Sequence, residues 1–328
     1  MYNPAFLFPG QGSQCLGMGR DLADADSEIM DIWKQSERIS GLPLREIYWD
    51  GDEAAMADTR NLQPALTVVN IGLFMHVGRK IKPKAAAGHS LGEYSALTVS
   101  GVLPLKDVIG ITTLRGQLMA EADPAGLGGM AAVLKLPLAK VQELTNQAAK
   151  ITGETIIVAN RNTPAQFVVS GTKTAVACLA ELVKEEKGRA VALAVSGAFH
   201  SPLMQDAAQE LTQALSKLSW NNPAFPVYCN VTGTAVGDGL SLADIMPKQM
   251  TAPVLWIDTM QNMWDDGLRA WLELGPKSVL AKMVQPCLAD RLAQNQSNNQ
   301  PQEQPEGEVL QVEFAGSAVE IGALLQKI

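Results

Sequence analysis

Short apolar runs alternate with longer amphipathic stretches along most of this chain, and their periods predict its elements. Residues 5–8 (Ala-Phe-Leu-Phe) form a fully apolar run of strand length that enters the turn Pro9-Gly10-Gln11-Gly12. Helical patterns follow to about Trp33, and residues 65–77 read as an apolar helix. Residues 84–87 are short and small-sided and end at Gly88. From Gly129 the pattern changes. Residues 129–134, 156–159, 166–170 and 189–195 read as strands, and 137–150 and 172–186 as helices, the first with proline in its opening turn. The order βαββαβ is the split ferredoxin-like arrangement, so residues 128–198 are predicted to be an inserted small domain. Mixed α/β pattern then returns: a helix over 202–218, strands over 227–230 and 270–274, and a helix over 278–288. Residues 294–302 are polar and aperiodic and cannot bury enough apolar surface to order themselves. Residues 293–308 are therefore expected to be a flexible polar loop ahead of a C-terminal strand and helix within 309–328. The α/β core is assigned to 1–127 and 199–292.

Composition narrows the classes. The 328 residues are 47% hydrophobic and 18% charged, as in a globular protein with a sizeable core. A net charge of -8 argues against nucleic acid as a main partner, because phosphate binding needs a basic footprint. Cys15, Cys178, Cys229 and Cys287 are too scattered for a metal or redox pair and are expected to be buried core thiols in a reducing compartment. The N-terminal apolar run is short for a signal peptide and lacks a basic leader, and no stretch has the length of a membrane span. A cytoplasmic monomer is the expectation. Gly10-Gln11-Gly12-Ser13-Gln14-Cys15 fails the dinucleotide fingerprint at its sixth position, and no Gly-Lys-Ser/Thr follows, so neither NAD nor ATP is expected. No metal or permanently bound cofactor is expected.

Three residues have candidate chemistry. Gly88-His89-Ser90-Leu91-Gly92 fits GxSxG between a strand and a helix, the context in which a strained turn exposes a nucleophilic serine. Serine needs a base, and there are three histidines. His76 falls in the apolar 65–77 helix. His89 is the neighbour of Ser90 and points elsewhere on an extended segment. That leaves His200, in Ser196-Gly197-Ala198-Phe199-His200-Ser201-Pro202, at the predicted domain junction, with a capping role as the alternative. No acid between 90 and 200 stands out as its partner, so a backbone carbonyl is a second possibility. Arg115 lies on a helical row with Ile111 and Met119, an apolar stripe on which a charge needs a partner. It is either half of a structural ion pair or a clamp for a substrate carboxylate.

Together these pieces resemble the malonyl-CoA:acyl carrier protein transacylase family. The matching segments are Phe8-Pro9-Gly10-Gln11-Gly12-Ser13-Gln14, Gln63-Pro64-Ala65-Leu66, residues 88–96 (GHSLGEYSA), Arg115-Gly116, residues 159–166 (ANRNTPAQ), Ala198-Phe199-His200-Ser201 and Asn230-Val231-Thr232-Gly233. The resemblance implies an α/β-hydrolase-like core with a ferredoxin-like insertion, Ser90 as nucleophile and His200 as base. It implies an oxyanion hole from the Gln11 and Leu91 amides, and a Gln249 backbone carbonyl that orients the histidine. Arg115 would hold the malonyl carboxylate, Asn160 and Asn230 would line the site, and Phe199 would crowd the substrate α-carbon. Malonyl-CoA is then the donor and the phosphopantetheine thiol of an acyl carrier protein the acceptor. A serine esterase or thioesterase, or a non-catalytic module that holds acyl carriers, is the alternative. An acidic carrier would dock on a basic patch, for which Arg79, Lys80, Lys82 and Lys84, or Lys184, Lys187 and Arg189, are candidates.

Overall fold

The computed structural model describes residues 2–123, 125–298 and 310–328. Its ten strands, numbered along the chain, are β1 Ala5–Phe8, β2 Ala85–Gly88, β3 Gly128–Leu134, β4 Ile156–Thr163, β5 Gln166–Thr172, β6 Arg189–Ala192, β7 Val227–Tyr228, β8 Ala235–Val236, β9 Ala270–Leu274 and β10 Gln311–Ala315. They form two sheets. The larger runs β10-β9-β1-β2-β7-β8 and is parallel except for β8. The smaller runs β4-β5-β3-β6 and is antiparallel.

The apolar runs at β1 and β2 lack polar interruptions because both faces of the larger sheet are covered. Phe6, Phe8, Ala86, Leu272 and Leu274 face one hydrophobic layer, while Ala5, Leu7, Ala85, Ala87 and Trp271 face another. The first layer includes Leu62, Leu66, Val69 and Leu73 of the Thr59–Gly78 helix and Val108, Ile111 and Met119 of the Leu105–Glu121 helix. The second includes Trp256, Met260 and Trp264 of the Trp256–Asp265 helix. Side chains such as Phe6, Leu7 and Trp271 are fully buried, each contributing about 1.5–3 kcal/mol relative to exposure.

The smaller sheet splits its faces differently. Ala131, Val133, Val158, Phe167 and Val169 pack with the Leu138–Thr152 and Lys173–Glu185 helices. Alternate residues Met130, Ala132, Val168 and Gln166 point the other way and roof a cavity above the larger sheet. β4 also contacts the segment ahead of the Trp256–Asp265 helix: Asn160 bridges Val254, and the Arg161 amide donates to the Val254 carbonyl at 2.9 Å.

Several predicted bounds need correction. The helix expected over 202–218 is a 3-10 turn, Pro202–Met204, followed by an α-helix at Gln205–Leu215. The strand expected over 227–230 is two residues long, because the chain turns at Cys229, whose carbonyl accepts the Gly233 amide at 2.8 Å. The helix expected from 278 begins at Ala281. The fully buried Glu273 carboxylate of β9 instead takes the amides of Val279, Leu280 and Ala281 at 2.8–3.0 Å and caps the helix. Residues 293–298 of the expected polar loop are helical, within Ala289–Asn298; its remainder, 299–308, lies outside the described residues. The C-terminal strand and helix are present, and β10 extends the larger sheet beside β9. No helix among the described residues is long and apolar enough to cross a membrane.

Candidate active site

The turn between β2 and the Gly92–Val99 helix places Ser90 at φ 53°, a left-handed conformation that holds the hydroxyl out of the regular backbone path. Two glycines make this geometry possible. A Cβ on Gly88 would collide with the backbone of Gly92 and Glu93, and one on Gly92 with the carbonyl of Phe8. The strand, turn and helix therefore pack backbone to backbone. Asn230 locks the turn from behind: its Oδ1 accepts the Ser90 amide at 2.6 Å and its Nδ2 donates to the Gly88 carbonyl at 2.6 Å.

Ser90 Oγ lies 2.7 Å from His200 Nε2 and 3.1 Å from Arg115 Nη2. The imidazole is 4% exposed, and its Nδ1 lies 2.9 Å from the Gln249 carbonyl and 3.2 Å from that of Ala252. Both neighbours are acceptors, so Nδ1 holds the proton and Nε2 offers its lone pair to the serine hydroxyl. Burial pushes the His200 pKa down to about 3, and the nearby Arg115 charge adds to this. The base is thus neutral and ready to accept. A buried neutral imidazole also links stability to pH. Its folded pKa lies below the unfolded value near 6.5, so its contribution is present above that pH and fades as pH falls toward the folded value. On lowering the pH from 6.5 to 4, wild-type protein should lose a few degrees of thermal midpoint more than His200→Gln does. Parallel slopes in the two melting series would contradict this.

Arg115 is fully buried on the Leu105–Glu121 helix. Nη1 donates to Gln63 Oε1 at 2.6 Å, Nη2 to Gln249 Oε1 at 3.1 Å, and the guanidinium lies 5.6 Å from the centre of the Tyr94 ring. Among the described residues it makes no ion pair, and its Nε has no partner. Of the two sequence alternatives, the structural ion pair is therefore absent. Burial lowers the Arg115 pKa from its ordinary value, while Tyr94 and Glu93 act the other way.

Beside these groups opens a cavity of about 230 Å³ lined by Gln11, Gln63, His89, Ser90, Asn160, Phe199 and His200, with Met119 and Met283 supplying apolar wall. Asn160 presents a buried Oδ1 that has no partner among the described residues. His89 faces Asn162, Nε2 to Oδ1 at 2.9 Å, and packs on Trp256, leaving Ser90 to His200. Asn230 corrects the expectation that it lines the site: it is fully buried and both ends of its amide are spent on the nucleophile turn. The reading of the residues did not single out Gln63 or Glu93, although both lie inside the quoted segments. The two basic clusters do not line the cavity; Arg79 pairs with Asp26 at 3.2 Å and Lys184 with Glu181 at 3.9 Å.

A serine hydroxyl on a strained turn, touching an imidazole whose far nitrogen is pinned, is the arrangement used by enzymes that form covalent acyl intermediates. The chain belongs to the acyl transferase domain family, which it matches over residues 5–321. It is 36% identical over 284 residues to the malonyl CoA-acyl carrier protein transacylase of Bacillus subtilis, covering 85% of this chain and 89% of that one. Its fold is similar to the crystal structure of an acyl carrier protein S-malonyltransferase from Vibrio cholerae, with a TM-score of 0.88, 32% identity, and coverage of 98% of this chain and 100% of that one. It is also similar to a malonyl-transacylase solved in complex with a type II polyketide synthase acyl carrier protein, with a TM-score of 0.89, 29% identity and full coverage of both chains.

Proposed function

We propose that this protein moves a malonyl group from malonyl-CoA to the phosphopantetheine thiol of an acyl carrier protein, through an ester on Ser90, in fatty-acid or polyketide synthesis. The observation that supports this most is the buried Arg115 guanidinium, 3.1 Å from the Ser90 hydroxyl and without a carboxylate partner among the described residues. Such a charge is costly to bury unpaired, and an acyl donor that brings its own carboxylate completes it.

In the first half-reaction His200 Nε2 takes the Ser90 proton as Oγ attacks the thioester carbonyl. The oxyanion is held by the Gln11 and Leu91 amides at the turn. Collapse breaks the C–S bond, the imidazolium returns its proton to the CoA sulfur, and malonyl-Ser90 remains. In the second half-reaction the carrier thiol gives its proton to His200, attacks the ester, and regenerates Ser90. The Gln249 and Ala252 carbonyls stand where a triad acid would, holding the tautomer without adding a negative charge. The thioester is itself the activated donor, so the reaction needs no resident cofactor. Phe199, 5% exposed beside His200, narrows the space at the α-carbon and favours malonyl over branched units. Asn160 offers a polar contact to the acyl or pantetheine chain.

An α/β-hydrolase-like core over 1–127 and 199–292 with a ferredoxin-like insertion over 128–198 is part of this reading. The parallel β9-β1-β2-β7 arrangement and the β4-β5-β3-β6 order support it. Four free cysteines fit a cytoplasmic location. The test is an acceptor-dependence assay. With labelled malonyl-CoA, label should pass to purified carrier protein, and in the absence of carrier free malonate should form at least tenfold more slowly than that transfer. Malonate release at full rate without the acceptor would restore the esterase reading.

A further inference from the structure

Glu93 is a fully buried carboxyl group that the acyl-transfer steps do not use. It sits three residues after the nucleophile, in the first turn of the Gly92–Val99 helix. Oε2 accepts the Gln249 side-chain Nε2 at 2.6 Å, and Oε1 accepts the Asn230 amide at 3.1 Å. The Cys229 thiol also faces it. Every group around it donates, and an ionised carboxylate is the acceptor-only group that satisfies them all.

These bonds reach each arm of the site. Gln249 is the residue whose backbone carbonyl holds His200, and its side-chain Oε1 accepts from Arg115 at 3.1 Å. Its Nε2 bonds the Ser90 carbonyl at 3.0 Å as well as Glu93. Asn230, fixed through its own amide by Glu93, holds the Ser90 turn. A guanidinium, an amide and a carboxylate thus lie in series. The negative end is one residue removed from Arg115, so it offsets the buried positive charge without occupying the guanidinium edge that faces Ser90. A carboxylate in direct contact would close that edge to an incoming anion.

We propose that Glu93 is a positioning residue: its carboxylate fixes the Gln249 amide with oxygen toward Arg115, balances the guanidinium at a distance, and keeps that guanidinium open to a substrate carboxylate. This rests on the reading of Ser90, His200 and Arg115 given above. Burial pushes the Glu93 carboxyl up to about 7, against the donors of Gln249, Asn230 and Cys229 and the Arg115 charge, so it is ionised in an assay at pH 8. Tyr94 is the remaining titratable neighbour and stays protonated there, held up to about 12 by burial.

The discriminating comparison is Glu93→Gln against Glu93→Asp at pH 8, measuring malonyl-ester formation and the malonyl-to-acetyl preference. Glutamine keeps the volume but replaces one acceptor oxygen by a donor, so either the Gln249 amide inverts against Arg115 or the Asn230 amide loses its partner. Malonyl kcat/KM should fall at least tenfold, with most of the malonyl preference lost. Aspartate keeps charge and both acceptors and should recover much of that loss, despite the missing methylene. A packing role predicts the reverse order, and Glu93→Gln within twofold of wild type with Glu93→Asp slower would overturn the proposal. If Glu93→Gln does not fold, Glu93→Asp decides alone: retained malonyl preference supports the role, and lost preference in a folded protein overturns it. Mapping the ester in wild type separates the two levels. An ester on a residue other than Ser90 removes the site reading and this role together, whereas an ester on Ser90 with the packing order removes this role only.

Discussion

Replacing Ser90 by alanine should abolish the malonyl ester and reduce transfer to carrier protein by about 10⁴-fold or more, the scale of losing a covalent nucleophile. The fold should survive. Alanine pays a similar left-handed backbone cost at φ 53°, and its amide can still donate to Asn230 Oδ1 as that of Ser90 does at 2.6 Å. What disappears is the hydroxyl between His200 Nε2 and Arg115 Nη2. The thermal midpoint should therefore stay close to wild type while the ester, read by intact-protein mass spectrometry after exposure to malonyl-CoA, is gone. An ester that persists on another residue of Ser90→Ala, or transfer that continues at an appreciable rate, would remove Ser90 from the mechanism. His200 would then be left as a buried neutral imidazole with no proton to take.

What the sequence made legible follows the range of the interactions involved. β1 was readable to the residue because an unbroken apolar run needs both faces covered, and the covering layers exist; β9 was readable although Glu273 interrupts its apolar residues. The turn at Ser90 was readable because glycines two residues either side mark a backbone too close for Cβ atoms. His200 emerged from the scarcity of histidines, and the resemblance supplied Gln249. Polar partnerships across the fold were not readable. Nothing local to Asn230 says that its amide turns inward to Ser90, 140 positions away, rather than outward to the cavity. Glu273 likewise resembles any strand carboxylate until the chain returns to set three amides on it, which moved a helix start from 278 to 281. Glu93 was hidden for the same reason: its partners Asn230 and Gln249 lie more than 130 residues downstream. The polar 294–298 stretch shows the opposite error, in which composition pointed to a loop although the segment continues the helix begun at Ala289.

Arg115→Ala should collapse the preference for malonyl over acetyl while leaving Ser90 able to react. In wild type a malonyl carboxylate completes a buried guanidinium, whereas an acetyl methyl leaves that charge without a partner. Breaking one side of a buried charge pair costs about 3–5 kcal/mol, and at about 1.4 kcal/mol per decade malonyl loading should fall by a hundredfold or more. Acetyl loading never had that contact, so it should hold or rise, and the ratio of the two kcat/KM values should approach one. Arg115→Lys should fall between, because an ammonium is a point charge and cannot reproduce the two-pronged edge set by Gln63 and Gln249. Removing the guanidinium also strips Gln63 Oε1 and Gln249 Oε1 of their donors, so stability should drop modestly and must be measured alongside the rates. The ratio separates the two effects, since loosening of the site slows both donors together. An unchanged ratio in folded Arg115→Ala would mean that the guanidinium organises the pocket without reading the carboxylate.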